Sequence, residues 1–169
     1  METQSNGQRG DGQEQTATLP VGTAHVVQSL VCRGIRGATT SPSNTAEDIL
    51  EVTRELVAAL VFLNDLDPAD IVSAVFTTTP DLNATFPALA AREFGWTEVP
   101  LLCTHEMAVP GSLTSAVRIL LHVNTHRTSA EIRHIYLRNA GQLRPGWAYT
   151  DTELAKILVG VDPRSQPSS

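Results

Sequence analysis

Apolar residues recur along this chain in two rhythms, and the switches between them mark out its elements. Residues 30–38 (LVCRGIRGA) read as a first strand broken by glycines. Gly34 and Gly37 there predict a bulge or a close backbone approach. Arg33 and Arg36 are three apart, so a regular strand sends them to opposite faces. Residues 41–65 (SPSNTAEDILEVTRELVAALVFLND) carry the strongest helical period. Ile49, Val52, Leu56, Ala59, Leu60 and Leu63 fall on one face. Asn44 or Thr45 can cap that helix, and Glu47 and Asp48 suit its positive N-terminus.

Asp67-Pro68 ends the helix, and residues 71–76 follow as a short, almost wholly apolar strand. Residues 86–94 (FPALAAREF) predict a short helix with Pro87 in its first turn, and residues 99–102 a further strand. Between residues 116 and 124 the alternation is regular. Val117, Ile119, Leu121 and Val123 share one face, while Arg118, Leu120, His122 and Asn124 share the other. Arg118 therefore points away from the main apolar layer. Residues 131–138 (EIRHIYLR) predict another strand, with Ile132, His134, Tyr136 and Arg138 on one side. Residues 151–159 suit a terminal amphipathic helix through Leu154, Ile157 and Leu158.

The order β-α-β-α-β-β-β implies an α+β fold, a mixed β-sheet with flanking helices. So few helices leave one sheet face thinly covered, and burial in a symmetric oligomer is the natural remedy. Residues 1–29 are polar and rich in Gln, Gly and Thr, so they cannot bury enough apolar surface to order themselves. They are expected to form a disordered tail, residues 30–149 the domain, and residues 150–169 a helix followed by a frayed end.

A net charge of -6 gives no basic footprint for nucleic acid or an anionic membrane. The two cysteines, Cys32 and Cys103, lie far apart without a CxxC spacing, which fits a reducing compartment rather than a disulfide scaffold or zinc ribbon. No apolar run approaches the roughly 20 residues that span a bilayer, and the N-terminus lacks signal-peptide order. A soluble, cytoplasmic protein is expected.

Candidate chemistry gathers in residues 99–118 (VPLLCTHEMAVPGSLTSAVR). Glu106 and Arg118 are opposite charges at the edges of otherwise buried segments, where a charge needs a partner or a ligand. An ion pair that only joins strands has the same spacing, so both readings stand at this level. His122 and His126 are four apart on a strand, about 13 Å, too far for one metal ion to bridge, and no metal site is expected. Cys103 and His105 point the same way on an extended chain, yet nothing marks the thiol as activated. No G-x-S-x-G, P-loop or G-x-G-x-x-G motif is present. What remains is a set of arginines, Arg33, Arg36, Arg92, Arg118, Arg138 and Arg144, in an acidic chain, with Glu106 and Tyr136 as companions. Arginine forks match carboxylates two bonds at a time, so the set suits a small dianion. Plain solvation accounts for Arg138 and Arg33 but poorly for Arg118.

RGIRGATT (residues 33–40), TPDLNATFPALAARE (79–93), VPLLCTHEM (99–107) and the run from RHIYL to LRP (133–145) stand in one collinear order. Together they resemble the monofunctional AroH-class chorismate mutases over residues 30–145. The resemblance implies a chorismate mutase II-like, pseudo α/β-barrel homotrimer with active sites in clefts between subunits. It implies an isomerase of aromatic amino acid biosynthesis that rearranges chorismate to prephenate with no cofactor. By the same resemblance Arg118 stabilises the ether oxygen, and Arg36 and Tyr136 bind the enolpyruvyl carboxylate. Glu106 and Cys103 would meet the ring hydroxyl, Phe86 would pack on the ligand, and Arg92, Arg144 and Leu143 would belong to a wall or lid. Two positions depart from the family pattern, Leu89 where lysine is common and Leu102 where threonine is common. A trimeric enamine or imine deaminase, or a non-catalytic sensor of an aromatic-pathway carboxylate, are the rival readings.

Overall fold

The computed structural model describes residues 29–159. The expectations for the two tails fall on residues 1–28 and 160–169, outside that range.

Six strands form one mixed sheet in the order β3-β2-β4-β1-β5-β6. They are β1 (Val31–Thr40), β2 (Ile71–Thr78), β3 (Leu101–His105), β4 (Ala116–Thr125), β5 (Ile135–Leu137) and β6 (Ala148–Tyr149). The helices are α1 (Ala46–Asn64), α2 (Ala88–Glu93) and α3 (Asp151–Val159). β4 is the central member, antiparallel to both β1 and β2. β3 adds in parallel to β2, β5 to β1, and β6 to β5.

The alternation read from β4 holds throughout. Val117, Ile119, Leu121 and Val123 are buried, while Arg118, Leu120, His122 and Asn124 are only half-buried. The buried row meets α1, whose Leu56, Val57, Ala59 and Leu60 are fully buried with Ile35, Phe76, Ile119 and Leu121. Each large side chain buried there contributes about 1.5–3 kcal/mol. Thr45 caps α1 by accepting the Asp48 N–H at 3.2 Å, and Asp65 closes it in the left-handed region at φ 50. α3 adds Leu154 to the same core, with Ile157 and Leu158 packed against it.

β1 pairs with β4 from Val31↔Thr125 to Thr40↔Ala116 without a bulge. Of the two roles expected for its glycines, Gly37 serves the close approach. A Cβ there would lie 2.9 Å from Leu60 Cδ1 and 3.0 Å from Leu56 Cδ1. Gly34 meets nothing nearer than Leu120 at 3.7 Å.

Several boundaries differ from the sequence reading. β3 starts at Leu101 and runs on to His105, because its parallel register with β2 extends to Thr78↔His105. The strand expected over residues 131–138 shrinks to Ile135–Leu137. At its start, Asn64 of α1 accepts the Arg133 N–H at 2.8 Å and donates to the Arg133 carbonyl at 2.9 Å, so that residue bonds to a side chain instead of a ladder. At its end, Arg138 turns left-handed at φ 51 and opens a 3-10 turn, Arg138–Leu143. Neither Arg138 nor Arg33 is simply solvated. Arg138 pairs with Glu55 and donates to Thr39 Oγ1, and Arg33 donates to the Arg127 carbonyl and Ser129.

The face of the sheet turned away from α1 is open. Leu102 is 59% exposed there, and Val75 and Leu120 beside it are only half-covered.

Candidate active site

The strand registers bring one group of predicted residues together. Ala38 faces Arg118 across the β1–β4 ladder and Tyr136 across the β1–β5 ladder, so all three lie on the open face. Arg36, two residues before Ala38, shares that face by strand parity. Thr77 faces Arg118 from β2.

Glu106 follows β3 directly and is anchored by its N–H to the Thr78 carbonyl at 2.8 Å. Its carboxylate accepts the Thr77 hydroxyl at Oε1 and Arg118 Nη1 at Oε2, the latter at 3.3 Å. Both side chains are about a quarter exposed (27% and 25%). That is a partly screened pair, so its weight lies in fixing the guanidinium more than in raw stability. Arg118 Nε is buried and has no hydrogen-bond partner among the described residues. A buried donor left unpaired costs about 1–3 kcal/mol, a cost that an arriving acceptor removes.

On the β1–β5 side of the sheet stand Arg36, His134, Tyr136, Leu143 and Arg144. The Arg36 side chain is exposed, while its backbone N–H donates to His134 Nδ1 at 3.1 Å. Burial, helped by the positive charge of Arg36, holds His134 below the usual imidazole range, so its neutral ring offers Nδ1 as an acceptor. Tyr136 is 2% exposed. Leu143 ends the 3-10 turn after β5, and the Arg144 guanidinium lies 5.7 Å over the Trp147 ring.

A second group lies elsewhere. Phe86, Pro87, Cys103 and His105 line a cavity of about 360 Å³ with Thr78 and Thr85. Cys103 faces Phe76 across β2–β3, which puts its side chain on the α1 side, away from Arg118. His105 Nδ1 is 3.0 Å from the Thr78 hydroxyl there. Arg92 and Leu89 are exposed on α2. Within one chain, then, Glu106 and Cys103 do not converge, and Leu102 faces the opposite way from Cys103. A larger groove of about 480 Å³, lined by Thr40, Ser41, Glu51, Arg138 and Asp151, has its only arginine engaged by Glu55. Among the described residues no three of His, Cys, Asp and Glu gather to hold a metal ion.

Sequence reasoning passed over His134, Thr77 and Trp147 as members of the site. His134 was legible in principle, two residues before Tyr136 on the same strand face. Thr77 could be placed only by the β2–β4 register, and Trp147 only by the turns that follow β5.

Residues 32–147 match the family model for chorismate mutase type I. The Chorismate mutase AroH of Bacillus subtilis (strain 168) is 42% identical over 127 residues, 74% of this chain and 100% of that protein. The Chorismate mutase AroH of Thermus thermophilus is 46% identical over 114 residues, 67% of this chain and 93% of its own. A solved chorismate mutase from Clostridium thermocellum superposes with a TM-score of 0.64 at 45% identity, covering 65% of this chain and 98% of that one.

Proposed function

The chain belongs to the chorismate mutase type I family and is an isomerase of chorismate, and from that premise we propose how its own residues carry the reaction. The rearrangement to prephenate breaks the ether C–O bond as a new C–C bond forms. It requires no nucleophile and no proton transfer. Negative charge grows on the ether oxygen along the way. A fixed cation beside that oxygen favours the transition state over the substrate.

Arg118 is that cation. The observation that carries the assignment is its guanidinium held by Glu106 at 3.3 Å while Nε, buried, still lacks an acceptor. Holding it in place beforehand avoids reorganisation during the reaction. Arg36 and Tyr136 take the enolpyruvyl carboxylate, and Arg144 with Leu143 closes the carboxylate side. Glu106 meets the ring hydroxyl. Keeping chorismate in its compact diaxial shape supplies much of the remaining acceleration.

Phe86, Cys103 and Arg92 complete the site from a neighbouring subunit, and the assembly is a homotrimer. Two facts support this. The second group lies on the far side of the sheet from Arg118, so a single chain offers two half-sites. The open face also leaves Leu102 and Leu120 needing cover. No helix among the described residues is long and apolar enough to cross a membrane. Both cysteines are free in the fold, which suits the reducing cytoplasm we propose as its place. Neither the deaminase nor the sensor reading gains support from the relatives. The test is ultraviolet loss of chorismate on adding purified protein; silence at micromolar enzyme sinks the assignment.

A further inference from the structure

We propose that Trp147 is a positioning residue for substrate binding, a platform that holds Arg144 and His134 in place beside Tyr136. The inference rests on the reading of Arg36, Tyr136 and Arg144 as carboxylate-binding groups. Trp147 ends a second 3-10 turn, Pro145–Trp147, and its N–H donates to the Arg144 carbonyl at 2.9 Å. Its ring lies 4.2 Å from the His134 ring with the planes tilted by 49°, and 5.8 Å from the Tyr136 ring. Arg144 Cζ lies 5.7 Å over the same indole. One side chain thus touches three neighbours, two of which are assigned to ligand binding.

The third, His134, reaches the ligand groups through the backbone. Its Nδ1 accepts the Arg36 N–H at 3.1 Å, so a ring free to swing would release the strand position that aims Arg36. Arg144 needs the platform more directly. It is exposed on an irregular turn, with φ -151 and ψ 78, and a long side chain there samples many rotamers. An indole face is the best natural seat for a guanidinium, and seating it in advance lowers the ordering cost at binding. Arg118 is fixed instead by Glu106, whose carboxylate accepts the Thr77 hydroxyl, so Trp147 bears on KM and little on kcat.

The experiment is steady-state kinetics on Trp147→Ala, Trp147→Phe, Arg144→Ala and the Trp147→Ala, Arg144→Ala double variant. Trp147→Ala should raise KM about tenfold with kcat within about threefold, and Trp147→Phe, which keeps a ring, should recover most of the loss. In the double variant KM should rise by less than the product of the two single effects. A KM unchanged in Trp147→Ala, single effects that multiply in full, or a fall confined to kcat overturns the proposal.

Fluorescence provides a readout without turnover. The chain has two tryptophans, and Trp96 is 1% exposed in the core. Prephenate should alter wild-type emission, and that change should vanish in Trp147→Phe; a change retained there counts against the platform. Active wild-type enzyme with an indifferent Trp147→Ala variant defeats this inference alone. A wild-type protein that neither consumes chorismate nor binds prephenate defeats the underlying reading as well.

Discussion

Arg118 reaches Glu106 through Nη1 at 3.3 Å, while its buried Nε meets no acceptor among the described residues. The carboxylate and the Thr77 hydroxyl that bonds it fix one side of the guanidinium and leave another side for a ligand. That division of labour within one side chain underlies the first prediction.

Arg118→Ala should lower kcat by two to three orders of magnitude, about 3–4 kcal/mol, as loss of a preorganised donor does. Its melting curve and oligomeric mass should stay close to wild type. Arg118→Lys keeps the charge but loses the fork and should recover only part. Turnover near wild type in Arg118→Ala would remove this residue from the mechanism.

Asn64→Ala should destabilise the fold by about 1–3 kcal/mol, since the buried amide serves both backbone groups of Arg133 and the Leu60 carbonyl. Urea titration measures it. KM should rise too, because the clamped segment leads into His134 and Tyr136.

Gly37→Val should cost about 1–3 kcal/mol, because its branches would press on Leu56 and Leu60 in a filled core. Chemical denaturation reads the loss, and a neutral outcome would mean that those side chains repack freely.

Stability should fall with acid in two windows. His134 is held below its ordinary value, by burial first and then by Arg36. Folding therefore favours its neutral ring; the contribution is complete above about pH 6.5 and is lost as pH falls below that. Burial pushes the Asp81 carboxyl up, but hydrogen bonds from Thr79 and from the Ser115 N–H and hydroxyl outweigh it and hold it low. Its contribution is present above about pH 3.9 and is lost as pH drops further. His134→Gln should flatten the first decline and Asp81→Asn the second, in denaturation midpoints taken across pH.

Leu120→Arg places a charge on the open face beside Leu102 and Val75. Light scattering should find the wild-type chain at three times 18.2 kDa and the variant at smaller mass. Activity should fall along with assembly. An active monomer would refute the shared site.

How much of this was legible in the sequence varied with where each element draws its stability. α1 and β4 declare themselves because each buries one continuous stripe, so periodicity and burial coincide. Arg118's direction followed from β4 parity alone. β5 was overestimated because its neighbours are decided by Asn64 and by the left-handed Arg138, neither of which a local pattern encodes. β6, with two residues, carries no period. The split of Cys103 from Glu106 was legible in principle, since residues three apart on an extended chain point to opposite faces; that Glu106, just past the end of β3, bonds Arg118 rested on the strand register instead.

β4 pairs along its whole length with β1 and for seven residues with β2. Inserting or deleting one amino acid inside residues 116–125 would swap every side chain on one side of it between the oily layer and the open face. Length changes should therefore be tolerated in the connections, such as residues 107–114, which lie between β3 and β4. Those connections can lengthen while Arg118 stays locked to the hydrophobic comb behind it.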